Sequence, residues 1–394
     1  MQYCTKCVMP ETNRGMKFDK DGVCTACRYY ETKKKIDWTA RKKQLEKILD
    51  KYRSKNGSNY DCIIPVSGGK DSTYQVHLIT KEFKMNPLLV TFNHDWLTSV
   101  GIYNRDNLSR QFNMDHIMFT PNPEVVRRIT KVSMRKLGGD FCWHCHAGIF
   151  AFTLRTALNY QIPILIYGEN YIYETGMDVG NERTTQDRKY IIEKQMKGFD
   201  VDDFIGEEGL TTSDLRSYTL PSDEELEELG MVGLFLGDYI NWDAKKHVEF
   251  IKKEYGWRGA EYGKEDDGYI APPGSVCEGA YEDYENVECK MPGVHDYLKF
   301  LKMGYGRATD QASMDIRRGL LTREEALKKV AEYDDKRPPS LNWLLDYMDM
   351  TEDEFLDIAF RSMDKRINES GDGIWKVLDE EKKKKYLEKM KKGK

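Results

Sequence analysis

No stretch of this sequence approaches the ~20 consecutive apolar residues that a membrane-crossing helix needs, so a membrane-spanning helical protein is not expected. The opening residues, Met1-Gln2-Tyr3-Cys4, lack the charged-then-apolar layout of a secretory signal, and a cytoplasmic protein is the expectation. Nor is there an excess of positive charge: 61 Lys and Arg stand against 66 Asp and Glu, a net charge of −5. That balance disfavours a nucleic-acid binder as a whole, while leaving room for a local basic groove. No internal repeat is visible. What is present is an ordinary globular composition, 40% hydrophobic and 32% charged. The 394 residues suffice for a large core, and at roughly 100–200 residues each they suggest two or three domains. Nine cysteines in a cytosolic chain point to metal or reactive thiols rather than disulfides.

The feature with the most chemistry is Ser67-Gly68-Gly69-Lys70-Asp71-Ser72, which follows the apolar run Cys62-Ile63-Ile64-Pro65-Val66. A strand that breaks into Ser-Gly-Gly-Lys and then opens a helix makes a phosphate cradle. Gly68 and Gly69 let the backbone approach an anion with no side chain in the way. Asp71 and Ser72 are candidate caps of the following helix, whose first N–H groups face the same anion. Lys70 supplies a mobile positive charge. The P-loop of kinases needs four residues between its first Gly and its Gly-Lys pair, a spacing not met here. The hexapeptide resembles the pyrophosphatase loop of N-type ATP pyrophosphatases, which cleave ATP between the α and β phosphates.

Around that loop the pattern alternates. Strands are expected at Asp61–Val66, Leu88–Phe92, His116–Thr120 and Ile164–Gly168. Helices are expected at Ser72–Phe83, Val100–Phe112, Pro123–Leu137 and Ala147–Tyr160. This predicts an α/β fold with a doubly wound parallel sheet, whose ligands bind at the carboxyl ends of the strands. Phe92 and Asn93 then fall where adenine should lie, with Gly168, Glu169 and Asn170 as the opposite wall. His94 is a further nucleotide contact candidate, whereas His77 and Cys62 are expected to be structural. The implied division is a cysteine module at 1–30, a helical linker at 31–58 and a nucleotide domain at 59–290. An insertion or lid is expected at about 171–290, and a helical domain at 291–394. Within it, Thr322-Arg323-Glu324-Glu325 and Thr351-Glu352-Asp353-Glu354 read as capping boxes.

Two cysteine groups stand out. Cys4-x-x-Cys7 and Cys24-x-x-Cys27 are paired knuckles suited to a closed tetrahedral zinc site, with a hairpin turn at Asp19-Lys20-Asp21-Gly22. Four thiolates leave no open position, so this metal should organise the fold. Cys142-Trp143-His144-Cys145-His146 precedes a helix at the level of the ATP crevice. With Cys277 or Cys289 folded over it, Cys142 and Cys145 could form a second site, zinc or 4Fe-4S, or could be half-buried thiols beside the pocket. His295 opens a helix, and a lone histidine there is a cap or surface residue more often than a catalyst.

Taken together, these motifs resemble the N-acetyl sugar amidotransferases of bacterial surface-glycan pathways, including those that make the acetamidino form of pseudaminic or legionaminic acid on flagellin. The resemblance runs through Tyr3-Cys4-x-x-Cys7-Val8-Met9-Pro10, the Ser67–Ser72 loop, Tyr167-Gly168-Glu169-Asn170 and His295-Asp296-Tyr297. It continues in Lys302-x-Gly304-Tyr305-Gly306-Arg307-Ala308-Thr309-Asp310 and Leu321-Thr322-Arg323-Glu324-Glu325-Ala326. It implies an adenine nucleotide alpha hydrolase-like fold and an ATP- and Mg²⁺-dependent conversion of a sugar N-acetyl group to an acetamidino group, forming AMP and pyrophosphate. The substrate would be an acetamido sugar or nucleotide-sugar, and a glutaminase with an ammonia-channel subunit would be the partner. No cysteine follows Met1 directly, and no Cys-His-Glu pattern offers a glutaminase site in this chain. Lys70, Asp71, Cys145, Cys289 and His295 become the catalytic candidates. Lys299, Lys302 and Arg307 become the candidates for holding an acidic substrate, or else form one solvated cationic face, and Asp310 is a further substrate-binding candidate. Some tRNA thiolation enzymes share this layout and keep a sulfur-transfer reading, on RNA or sugar, open as the alternative.

Overall fold

The computed structural model describes residues 1–168, 188–260 and 279–392. The expected wall residues Glu169 and Asn170, and the thiol of Cys277, lie outside the described residues.

Five short strands form one parallel sheet: β1 (Cys62–Pro65), β2 (Pro87–Phe92), β3 (His116–Phe119), β4 (Ile164–Tyr167) and β5 (Val232–Phe235). Their order is β3-β2-β1-β4-β5, and every pairing is parallel. Alternation along the strands divides the core between two faces. Ile63, Leu88, Val90, Phe92 and Leu165 pack under α5 (Pro123–Lys136) and α6 (Trp143–Tyr160). Cys62, Ile64, Leu89, Ile166 and Leu234 pack under α2 (Trp38–Leu49), α3 (Lys70–His77) and α4 (Ser99–Phe112). This is the expected doubly wound α/β fold. Winding runs from β1 outward to β3, then returns to the other side of β1. The loop after β1 therefore sits at the point where strand order reverses, where such sheets leave a crevice.

β5 was not among the expected strands. Its sequence, Val-Gly-Leu-Phe, carries a weak strand signal because glycine is a poor strand former. Its pairing with β4 decides its conformation. Part of the region expected as an insertion thus belongs to the sheet itself.

The capping boxes at Thr322 and Thr351 are both formed, and helices occupy most of 292–392. The hairpin turn also forms: Asp19 N donates to Val23 O at 3.1 Å, and Phe18 pairs antiparallel with Cys24. The cysteine module docks on the C-terminal helices rather than on the sheet. Arg323 Nε donates to Cys7 O at 3.1 Å, Arg366 to Glu11 O at 2.7 Å, and Thr12 Oγ1 to Met303 O at 2.5 Å. No helix among the described residues is long and apolar enough to cross a membrane.

Candidate functional site

The loop after β1 is built to stay open. Gly68 has φ +86°, and a Cβ there would stand 2.7 Å from Arg105 N and 2.9 Å from Gly101 O. Those are backbone atoms of α4 and cannot swing aside, so the position requires glycine. Gly69 is the N-cap of α3, and no side chain caps that end. The expectation that Asp71 and Ser72 cap it is corrected. Ser72 Oγ and Thr73 Oγ1 donate backwards to Gly69 O at 3.1 and 2.9 Å. Asp71 instead accepts from Lys70 Nζ at 2.7 Å and from Trp242 Nε1 at 3.2 Å. The first amides of α3 consequently have no side-chain cap, the condition in which helix N-termini bind anions. Trp257 Nε1 donates to Gly68 O at 3.0 Å and braces the turn from behind.

Lys70 was expected to be mobile and is instead held. Its Nζ lies between Asp71 and Glu285, 3.6 Å from Glu285 Oε2, with 11% of the side chain exposed. Sequence reasoning missed a second carboxylate. Glu288 Oε1 accepts from Ser67 Oγ at 3.1 Å, and Ser67 Oγ in turn accepts from Gly69 N at 3.1 Å. Glu288 Oε2 is buried without a hydrogen-bond partner. Burial pushes its carboxyl above the usual range, although Ser67 and Lys70 pull the other way. Nothing local could have flagged it, because it lies 221 residues from Ser67 in sequence.

The other expected nucleotide contacts divide. Gly168 follows β4 and abuts Gln75 and Trp242, where a Cβ would come within 2.4 Å of Gln75 Nε2. Asn93 remains at the crevice edge, donating to Thr120 Oγ1 at 3.1 Å. Phe92 is corrected: only 4% exposed, it packs in the sheet core with Phe119, Phe152 and Tyr218. Gly148 of α6 lies flat on its ring. A ring so enclosed cannot stack on adenine. His94 is also buried, and burial lowers its pKa to about 4. His77 is structural, 2.7 Å from Tyr255 Oη.

The second cysteine group does assemble beside the crevice. Cys289, next in sequence to Glu288, bridges to Leu97, and Cys145 and Cys289 both pack against the apolar cluster that contains Cys142. His295 does not cap its helix. Its ring stacks on Phe141 with centroids 4.2 Å apart, and Nε2 stands 2.6 Å from Cys142 Sγ. Burial raises the Cys142 thiol and lowers His295 to about 4, which disfavours the charged form of each. These residues do not close on a single ion as they stand. Among the described residues, the one group of potential ligands drawn within 4.8 Å is Cys4, Cys7, Cys24 and Cys27.

That first group fits a metal. All four cysteines are buried. Amides donate to their sulfurs, Cys7 N and Cys24 N to Cys4 Sγ at 3.4 and 3.3 Å, and Cys27 N to Cys24 Sγ at 3.4 Å. Such N–H···S bonds favour the thiolate form a metal requires.

The C-terminal charges are corrected as well. Arg307 Nε donates to Asp296 Oδ2 at 2.8 Å, and Lys299 lies 3.2 Å from Asp296 and 2.5 Å from Asp310. Burial pushes the Asp296 carboxyl up, but Arg307 and Lys299 together outweigh it and hold it low. Lys302 Nζ donates to Gly138 O at 2.7 Å, and burial lowers its pKa to about 8. Lys299 and Arg307 are thus paired with Asp296 and Asp310, and Lys302 is tied to a backbone carbonyl, rather than all three presenting one solvated cationic face. Arg307→Met should therefore cost stability, up to about 3 kcal/mol given that Lys299 still faces the buried Asp296. Urea unfolding would register the loss, with KM unchanged for any substrate.

Residues 278–391 match the family described as LPS biosynthesis protein WbpG-like, C-terminal domain. The matched segment carries Glu285, Glu288, Cys289 and the ion network. Two uncharacterised proteins of Methanocaldococcus jannaschii are also similar. MJ1599 is 30% identical over 113 residues, which is 28% of this chain and 40% of that protein. MJ1016 is 27% identical over 100 residues, or 23% and 34% of the two lengths. The chain thus matches less than half the length of either relative. Among solved structures, NMN synthetase from Francisella tularensis aligns over 80% of this chain and 98% of its own, at 11% identity and a TM-score of 0.37. The U34-tRNA thiolase NcsA from Methanococcus maripaludis, solved with its 4Fe-4S cluster, aligns over 83% and 89% at 14% identity and a TM-score of 0.28. The fold assignment rests on the sheet topology above, since similarity at those scores adds nothing to it.

Proposed function

We propose that this chain is an ATP-dependent amidotransferase that converts a sugar N-acetyl group to an acetamidino group in surface-glycan synthesis. The observation that carries the reading is the uncapped Gly68-Gly69 turn at the reversal point of the sheet, held against a segment similar to WbpG-like domains. The amide oxygen of the substrate attacks the α-phosphorus of ATP, and pyrophosphate leaves. Ammonia then displaces AMP, giving the acetamidino group. The Lys70 and Asp71 amides that open α3, together with the Lys70 ammonium, would hold the departing pyrophosphate where its charge develops. Mg²⁺, when bound with ATP, would supply further charge neutralisation, with Asp71 as its nearest carboxylate in the loop. The Cys4–Cys27 group would hold zinc in a structural role. A glutaminase partner would supply the ammonia, and the reaction would run in the cytoplasm.

A second reading is favoured by one observation, the placement of Cys142, Cys145 and Cys289 next to the cradle. In it the activated oxygen is replaced by sulfur on a sugar or tRNA, with a 4Fe-4S cluster at those thiols. Mass spectrometry separates the two. Acetamido nonulosonates and UDP-sugars incubated with ATP, magnesium and ammonium should lose a little mass, as oxygen is exchanged for NH. In a parallel incubation with sulfide in place of ammonium, a gain in mass, as oxygen is exchanged for sulfur, would support the second reading. Lys70→Ala should abolish pyrophosphate release while leaving the circular-dichroism spectrum and melting curve intact. Full activity in that variant would remove the loop from the mechanism.

A further inference from the structure

The glycine turn already holds a carboxyl group. Glu288 Oε1 receives the Ser67 hydroxyl at 3.1 Å. A Cβ added to Gly69 would come within 2.6 Å of that oxygen and 3.1 Å of Glu288 Cδ. The carboxylate therefore lies against the face of the glycine turn that a phosphate group would use. Its other oxygen is buried with no partner, which makes this a poorly satisfied resting place.

The backbone behind it is fixed. Thr98 N donates to Glu288 O at 3.1 Å, Thr98 Oγ1 to Val287 O at 2.5 Å, and Lys290 N to Trp96 O at 3.0 Å. Gly101 of α4 packs so closely that a Cβ there would meet Glu288 Cα and O at 2.6 Å. Residues 287–290 cannot lift away without breaking that antiparallel seam. The side chain is another matter: its torsions can carry the carboxylate out of the turn while the seam stays formed.

We propose that Glu288 is an intramolecular competitor for the phosphate cradle, a side-chain gate that occupies the Ser67–Gly69 turn and must swing out before a nucleotide triphosphate can seat. The proposal rests on the reading of this loop as an ATP site. Its consequence is thermodynamic. Apparent nucleotide affinity is the intrinsic affinity reduced by the fraction of molecules with the cradle empty. It also distinguishes Glu288 from Glu285, which carries the same charge near Lys70 but makes its contact at the lysine rather than in the turn.

The test is equilibrium binding of α,β-methylene ATP with magnesium to the full-length protein and to Glu288→Gln, Glu288→Ala and Glu285→Gln, each checked by thermal melting. Both Glu288 variants should bind at least about tenfold more tightly than the parent, as expected when a gate closed most of the time is removed. Glu285→Gln should give a clearly smaller gain. Equal gains from Glu285→Gln and Glu288→Gln would reduce the effect to general electrostatics and overturn the gate. Unchanged or weaker binding in the Glu288 variants would overturn it too, while leaving the ATP site in place. Absence of nucleotide binding in every folded protein, parent included, would overturn the gate and the ATP reading together.

Discussion

Gly68→Ala should reduce ATP-dependent turnover by at least about 100-fold, because a displacement near 1 Å at the reacting groups has that effect. The position has φ +86°, and left-handed backbone costs a side-chain-bearing residue of order 1–3 kcal/mol. The sterics are worse. The new methyl would meet Arg105 N at 2.7 Å and Gly101 O at 2.9 Å, both main-chain atoms of a packed helix. The turn must shift, and with it the amides of Lys70 and Asp71. Stability should fall only modestly, since the strain is confined to one turn outside the sheet. Pyrophosphate release and a melting curve measured together would check this. Near-normal turnover would mean that the turn does not hold the reacting phosphates.

Cys4→Ser should have the larger effect on the molecule as a whole. It is expected to lose the bound metal and lower the melting temperature by roughly 10 °C or more, because a structural thiolate site contributes folding free energy directly. Cys4 Sγ accepts from the amides of Lys6, Cys7 and Cys24. Its loss frees both knuckles at once. The damage should spread to the C-terminal helices, where the module is anchored through Cys7 O, Thr12 and Glu11. Removing metal from the parent with a chelator should reproduce the shift. An unaltered melt with full metal content would show that the four sulfurs do not bind an ion through Cys4.

How much of this was legible beforehand follows from the range of the interactions involved. The four strands β1 to β4 are written in contiguous apolar runs and the helices between them in periodic patterns, and most expected limits lie close to those observed, but α6 starts at Trp143, four residues early, so that Cys145 and His146 lie in its first turn rather than before it. The cap boxes at Thr322 and Thr351 are four-residue devices and read directly. Phe92 misled for a specific reason. Its place at the end of β2 is the right level for a nucleotide contact, but alternation turns its ring to the α5 and α6 side. Arg307 and Asp310 misled because a charge seen in sequence carries no record of its partner.

The sequence alone determined the Ser67–Ser72 glycine turn, the paired knuckles and the alternating strands and helices, since each is set by residues within a few positions of one another. Only the tertiary structure decided that Glu288 lies in the turn, that His295 meets Cys142 from 153 residues away, and that Asp296 and Arg307 satisfy each other inside the helical region. Local spacing fixes backbone conformation. Which side chain fills a given cavity or neutralises a given charge depends on how distant segments pack, and that is settled when the sheet and the helices come together.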